Sequence, residues 1–454
     1  MCLRIIVIAC GLVKLSTEYE NSSAPLILTP YLKQGDIYTA RNLSKVSPDI
    51  GNVTSYAGYF TVDEACDNNL FFWFFPAECY WLEVPVLLWL QGGPGGSSMY
   101  GLFEEVGPFN SLSDGLKRRN YSWSNISNLL FIDNPAGAGF SYSTLRCFAN
   151  NIPTISEQLY SALLQFFHMF PELRKNKFFL TGESFAGHYI PPLAALIDKK
   201  NDQCETPMNL KGVMIGNPLM KLDCHDYGSF LYQVGIADDK LRDDLYIYQE
   251  RLKRHVAEGN YTAANSDWYY MLNDLINNRT QQPSRFNILT EPPDPSNYME
   301  FLNSTETRMA IHVGNVNFSD TNWDVYNALI PTIAQSFAPD VEYLLSTGKY
   351  IVGMYSGQLD IICMYSSTVC ILRGLQWAGR EEYLNATRQI WYLHDQVVGW
   401  YKTAGNLLLD ILIKDSGHSV PHYKPEVAYT MIDSVISAEP GVNPLWKFQN
   451  SSNS

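Results

Sequence analysis

The chain is short of positive charge. Its 454 residues carry 32 Lys and Arg against 46 Asp and Glu, a formal net charge of -14. Sequence-independent nucleic-acid binding needs a surplus of cations, so no nucleic-acid partner is expected. Long apolar runs are also missing. None reaches the ~20 residues that span a bilayer, so no transmembrane segment is expected. No internal repeat and no low-complexity stretch is visible. No Cys-x-x-Cys pair occurs among the nine cysteines, which removes the commonest zinc and redox spacings. Apolar material is plentiful: 46% of residues are hydrophobic and 13% aromatic, enough to bury a large core and to exclude a disordered chain. The length suits one large α/β enzyme domain with an insertion.

The N-terminus has a secretory pattern. Arg4 precedes the apolar stretch Ile5 to Val13, and residues 1–13 read as a signal peptide. Glycosylation acceptors of the form Asn-x-Ser/Thr stand at Asn21, Asn42, Asn52, Asn120, Asn125, Asn260, Asn278, Asn303, Asn317, Asn385 and Asn450. Together these predict the secretory pathway, with a secreted or lysosomal destination. Removing Cys2 and Cys10 with a signal peptide leaves seven cysteines, so at least one has no intrachain partner. Their connectivity cannot be read from spacing. Cys363 and Cys370 fall in an expected helix, where two turns hold them ~10 Å apart, too far for a disulfide.

Strands are predicted at Val86–Leu90, Leu129–Asp133, Lys177–Thr181, Lys211–Ile215, Tyr350–Ser356 and Leu407–Lys414. Several are apolar on both faces, as a covered parallel sheet requires. Ser55–Val62 and Asn68–Pro76 read as an antiparallel hairpin, and Glu157–Phe170 as a crossover helix. Residues 25–222 and 336–441 are therefore expected to form one α/β core, interrupted by a mainly helical insertion at 223–335. Pro292-Pro293-Asp294-Pro295 marks a loop within that insertion. Residues 442–454 read as a loose tail.

The chemistry is concentrated in a few segments. Phe178 to Gly187 runs from an apolar strand into Gly182-Glu183-Ser184-Phe185-Ala186, with a helical pattern after it. Small residues two before and two after a serine let the backbone turn sharply and expose the hydroxyl, which is the layout of a nucleophile elbow. A triad of this order continues with an acid and then a histidine. Asp360 follows the strand at Tyr350–Ser356, and His418 lies in the loop after the last strand. His418 and His422 are four apart, but Pro421 breaks any helix between them and no Glu adjoins His418, so no metal is expected. Trp89 to Ser98 carries four glycines after a strand and can supply an oxyanion donor. No Lys-Ser/Thr follows, which argues against a phosphate loop. Asp133 to Ser141 lacks the third glycine of a dinucleotide fingerprint and reads as a cleft wall.

These segments, with Gly101 to Phe109 and Gly417 to Pro421, resemble the serine carboxypeptidases of the α/β-hydrolase fold. The vitellogenic-like branch is especially similar, and the resemblance runs from about Pro25 to Gly441. It implies a central, mostly parallel sheet flanked by helices, with the insertion as a cap. Ser184 would then be the nucleophile, His418 the general base and acid, and Asp360 its orienting partner. Gly93 and Phe185 would offer oxyanion N–H groups. Gln91, Gly92, Glu105 and Glu183 would read the substrate's free C-terminal carboxylate. Glu105 takes this part rather than Glu104 because it directly precedes the apolar residue, Val106, before Gly-Pro. Gln91 replaces a more common Asn, Gly96 a common Cys and Gln358 a common Asp. None of these removes a catalytic group.

The resemblance implies removal of single C-terminal residues from peptides or proteins in acid, with no cofactor. Two glutamates repel a substrate carboxylate when ionised and bind it when protonated. An acyltransferase on the same scaffold and a binding or protective protein are the competing readings. The glutamate pair favours the peptidase, and the intact triad argues against a purely non-catalytic role. A homodimer stays open.

Overall fold

The computed structural model describes residues 24–113, 115–291, 295–438, 442–445 and 448. The proposed signal peptide, Asn21, Asn450 and residues 292–294 of the proline-rich loop lie outside them. Among the described residues thirteen strands follow in chain order: β1 Tyr56–Asp63, β2 Asn68–Phe75, β3 Val86–Leu90, β4 Phe109–Leu112, β5 Gly115–Arg118, β6 Asn128–Ile132 and β7 Tyr142–Ser143. They continue with β8 Phe178–Glu183, β9 Leu210–Gly216, β10 Ile351–Gly357, β11 Gln389–Leu393, β12 Gln396–Ala404 and β13 Leu408–Ile413. The main sheet runs β1-β2-β6-β3-β8-β9-β10-β13-β12-β11, with β7 added beside β2 and β4–β5 a separate hairpin. From β6 to β13 every pairing is parallel, and both flanks are antiparallel. This is an α/β-hydrolase fold.

The central strands are apolar on both faces because each face has its own core. Leu88 and Leu90 of β3 join one cluster, whereas Leu87 and Trp89 join the other. Leu130 and Ile132 against Leu129 and Phe131 repeat that alternation in β6. The helices Ile152–Met169 and Ala186–Asn201 cover the first face. The helix Pro425–Ser437 covers the second.

The six strands predicted in the sheet all form, Val86–Leu90 with the expected bounds and the other five shifted by one or two residues at their ends. The hairpin forms as β1 and β2. The crossover helix starts earlier than expected, at Ile152, where Asn151 caps it by accepting from the Thr154 N–H. Strands β11 and β12 were not anticipated. Their burial alternates at the sheet edge, so they lack the continuous apolar signal of the centre.

Register lines up the strand ends. Leu90 pairs with Gly182, Glu183 with Gly216 and Gly357 with Ile413. The segments after β3, β8, β10 and β13 therefore emerge along one edge, where open α/β sheets bind their ligands. Between β9 and β10 the described residues form helices, the longest Asp239–Ala257. The start of the expected loose tail differs from that expectation: Leu445 and Phe448 are buried, and Phe448 stacks on Trp391 with ring centroids 3.7 Å apart. The apolar side chains at these positions dock it onto the sheet edge.

Candidate active site

Ser184 sits between β8 and the helix Ala186–Asn201 with φ 61°, a left-handed conformation that a side chain disfavours. Backbone bonds hold it there. Its N–H donates to Gly216 O, and its own carbonyl accepts from the N–H groups of Gly187 and Leu219, each at 2.9 Å. A Cβ on Gly182 would lie 2.2 Å from Leu90 O and 2.9 Å from Ala186 Cβ. Glycine is thus required two residues before the serine, and its absence of a side chain leaves room for Ala186 two residues after.

Asp360 and His418 meet beside this turn. His418 Nδ1 lies 2.7 Å from Asp360 Oδ2. Asn217 Nδ2 donates to the same oxygen at 2.6 Å, and the N–H groups of Ile362 and Cys363 complete the set at 2.9 and 3.3 Å. Both triad-type side chains are buried. Burial pulls the His418 pKa down, but the Asp360 carboxylate and its hydrogen bond outweigh it and the net shift is upward. The Cys363 thiol contacts Ser184, and burial pushes its pKa well up, so it stays a neutral thiol. His422 does not join His418. Its Nδ1 donates to Glu104 O at 3.1 Å.

The sequence-predicted carboxylate readers also converge. Gln91 Nε2 donates to Glu183 Oε1 at 2.7 Å, and Trp89 Nε1 fixes the amide by donating to Gln91 Oε1 at 2.9 Å. Ser419 Oγ donates to Glu183 Oε1 at 3.2 Å and lies 3.2 Å from Tyr100 OH. Glu105, not Glu104, faces Glu183. As carboxylates the pair is starved of donors: neither Glu105 oxygen nor Glu183 Oε2 receives one. Burial and the facing Glu183 hold Glu105 well above the usual carboxylate range, and burial raises Glu183 as well. One proton shared between them would give two of these three oxygens a partner.

Gly92 allows the glycine loop to touch the elbow: a Cβ there would lie 2.6 Å from Phe185 N and 2.7 Å from Ser184 Cβ. Gly93 takes φ 109° next to it. A cavity of about 340 Å³ opens over these groups, lined by Gln91, Gly92, Gly93, Glu183, Ser184 and His418 among others. A half-buried serine that lines the cavity, a histidine–carboxylate pair and nearby backbone N–H groups are the parts that acyl transfer needs.

A family model described as serine carboxypeptidase matches residues 47–438. The chain belongs to the serine carboxypeptidase family. A venom serine carboxypeptidase of Apis mellifera is 38% identical over 431 residues, 91% of each chain. A probable serine carboxypeptidase, CPVL, of Homo sapiens is 38% identical over 92% of this chain and 90% of its own. The vitellogenic carboxypeptidase of Aedes aegypti is 36% identical over 91% and 90%. The solved structure of Kex1(Δ)p, a prohormone-processing carboxypeptidase from Saccharomyces cerevisiae, matches with a TM-score of 0.76 at 22% identity. It covers 87% of this chain and 95% of that one, a likeness of fold.

Sequence reasoning about this carboxypeptidase-family chain missed Asn217, Cys363, Tyr100 and Ser419. Asn217 follows β9 and carries no local motif. Ser419 and Cys363 adjoin or nearly adjoin predicted residues, so proximity in the chain was the available signal. The disulfide also escaped it: Cys224 pairs with Cys370, 146 residues on. Cys363 lies outside the helix Tyr365–Gly374 that holds Cys370, so the expected two-cysteine helix does not form. All nine described glycosylation acceptors are exposed.

Proposed function

We propose that this protein is a working serine carboxypeptidase that releases single C-terminal residues from peptides in acid. The observation that carries the reading is the donor-starved Glu105–Glu183 pair, held by Gln91 beside Ser184. A protonated pair donates to a substrate carboxylate, so a peptide C-terminus is drawn to the nucleophile and endopeptide chains are not. No transferase or lipase needs such a reader.

His418 then takes the Ser184 proton as Oγ attacks the last peptide carbonyl. The N–H groups of Gly93 and Phe185 receive the oxyanion. His418 passes the proton to the departing amine, and the terminal amino acid leaves. Water enters, His418 deprotonates it, and the acyl–Ser184 ester is hydrolysed. Asp360 keeps the imidazole oriented and balances its charge. In this reading residues 223–335 form a cap over the core made by 25–222 and 336–441. The chain enters the secretory pathway, where its exposed acceptors Asn42 to Asn385 become glycosylated.

The test is release of free amino acid from N-blocked dipeptides at about pH 5, near the range where glutamates titrate. Release should stop after treatment with a serine-directed phosphonofluoridate. Release that persists after treatment, or no release at all, refutes the reading.

A further inference from the structure

We propose that Asp320 selects substrates whose released C-terminal residue carries a positive side chain, lysine or arginine. The proposal rests on the carboxypeptidase reading above and extends it to the side chain of the departing residue.

Two acidic residues line the cavity among the described residues, Glu183 and Asp320. Asp320 comes from the segment between β9 and β10 and is fastened to the glycine loop. Ser97 N–H donates to Asp320 O at 2.9 Å, and Thr321 forms an antiparallel bridge with Gly96. Gly96 adjoins Gln91: a Cβ on it would stand 3.7 Å from Gln91 Cγ. Asp320 therefore lies on the side of the cavity that holds the carboxylate readers.

A second chain of contacts gives the same placement. Glu183 accepts from Ser419, Ser419 meets Tyr100, and the Tyr100 ring lies 6.4 Å from that of Tyr298. The Tyr298 hydroxyl donates to Asp320 Oδ1. With the substrate carboxylate at the glutamate pair and its scissile carbonyl at Ser184, the departing side chain faces the wall of Tyr100 and Asp320. Tyr100 offers an aromatic face to the methylenes, and Asp320 an anion to the head group.

Nearby positive groups are engaged elsewhere. Arg119 acts on Glu104 and Glu105, His422 on Glu104, and His418 on Asp360. The donors to Asp320 are hydroxyls, Tyr298 and Thr321, which fix its position without cancelling its charge. Among the described residues no cation pairs with it.

Lysine and norleucine differ in little but charge, so N-blocked dipeptides ending in each separate charge from size. Wild type should favour lysine by about tenfold or more in kcat/KM at low salt. The preference should shrink at high salt, as a solvent-accessible ion pair requires. Asp320→Asn should bring the ratio to near one. Equal cleavage of both by wild type, or an unchanged ratio in Asp320→Asn, overturns the proposal. If the variant does not fold, the wild-type ratio and its salt dependence decide alone. Release of norleucine without a lysine preference refutes only Asp320. Release of neither refutes the carboxypeptidase reading itself.

Discussion

Two buried acidic regions flank Ser184 and His418 and are treated in opposite ways. Asp360 accepts from four donors: an imidazole, an amide side chain and two backbone N–H groups. Glu105 and Glu183 face each other with three of their oxygens unsupplied. Burial of a carboxyl is costly in either case. Donors answer that cost for Asp360, and a retained proton answers it for the glutamates. The first arrangement fixes the carboxylate that meets His418. In the proposed function, the second makes substrate capture depend on acidity.

The most severe way to break this comparison is to remove Ser184, the nucleophile of the proposed function. Ser184→Ala should lower kcat by about 10⁴-fold or more with the fold retained, measured by peptide turnover and circular dichroism. Asp360→Asn should come next, with a loss of about 10³–10⁴-fold in kcat, because the wrong tautomer of His418 is held. Gln358→Ala should stay within about twofold, since Gln358 is exposed and its side chain accepts only from the Asp415 N–H.

The reader is broken by exchanging its titration for permanent amides. In wild type KM for a peptide should rise with pH as the raised glutamates ionise, while KM for the corresponding C-terminal amide should not. The double variant Glu183→Gln with Glu105→Gln should flatten the peptide curve between about pH 4 and 8. Stability follows the same sign. A raised native carboxyl pKa stabilises fully below the ordinary glutamate value of about 4.3, and that stabilisation is lost as pH rises through the native value. Melting temperature should therefore fall with pH more steeply in wild type than in the double variant. The smallest effect sharpens the comparison. Ser419→Ala removes one donor from Glu183. Its pKa should climb further, moving the KM rise to higher pH by less than about one unit.

Particular residues show what could be read without coordinates. The central strands were legible because burial on two faces leaves a continuous apolar run such as Val86–Leu90. Ser184, Asp360 and His418 were legible through order along the chain and local turn chemistry. Strand β12, next to the edge, was not, since its partly exposed positions break its apolar run. Asp320 and Tyr298 were not, because only the fold brings residues so far along the chain to the glycine loop. The Cys224–Cys370 pairing was closed to reading for the same reason: nothing local links two positions so far apart.

That disulfide has a topological consequence. The covalent ring it closes contains Asp360 and the helical segment after β9, but neither Ser184 nor His418. A single protease cut in any exposed turn between Cys224 and Cys370 would leave two polypeptides in one covalent particle, with Ser184 and His418 on different pieces. Such a nicked molecule would run at full length on a non-reducing gel and separate only after reduction, while the parallel sheet still held its three catalytic-type side chains together.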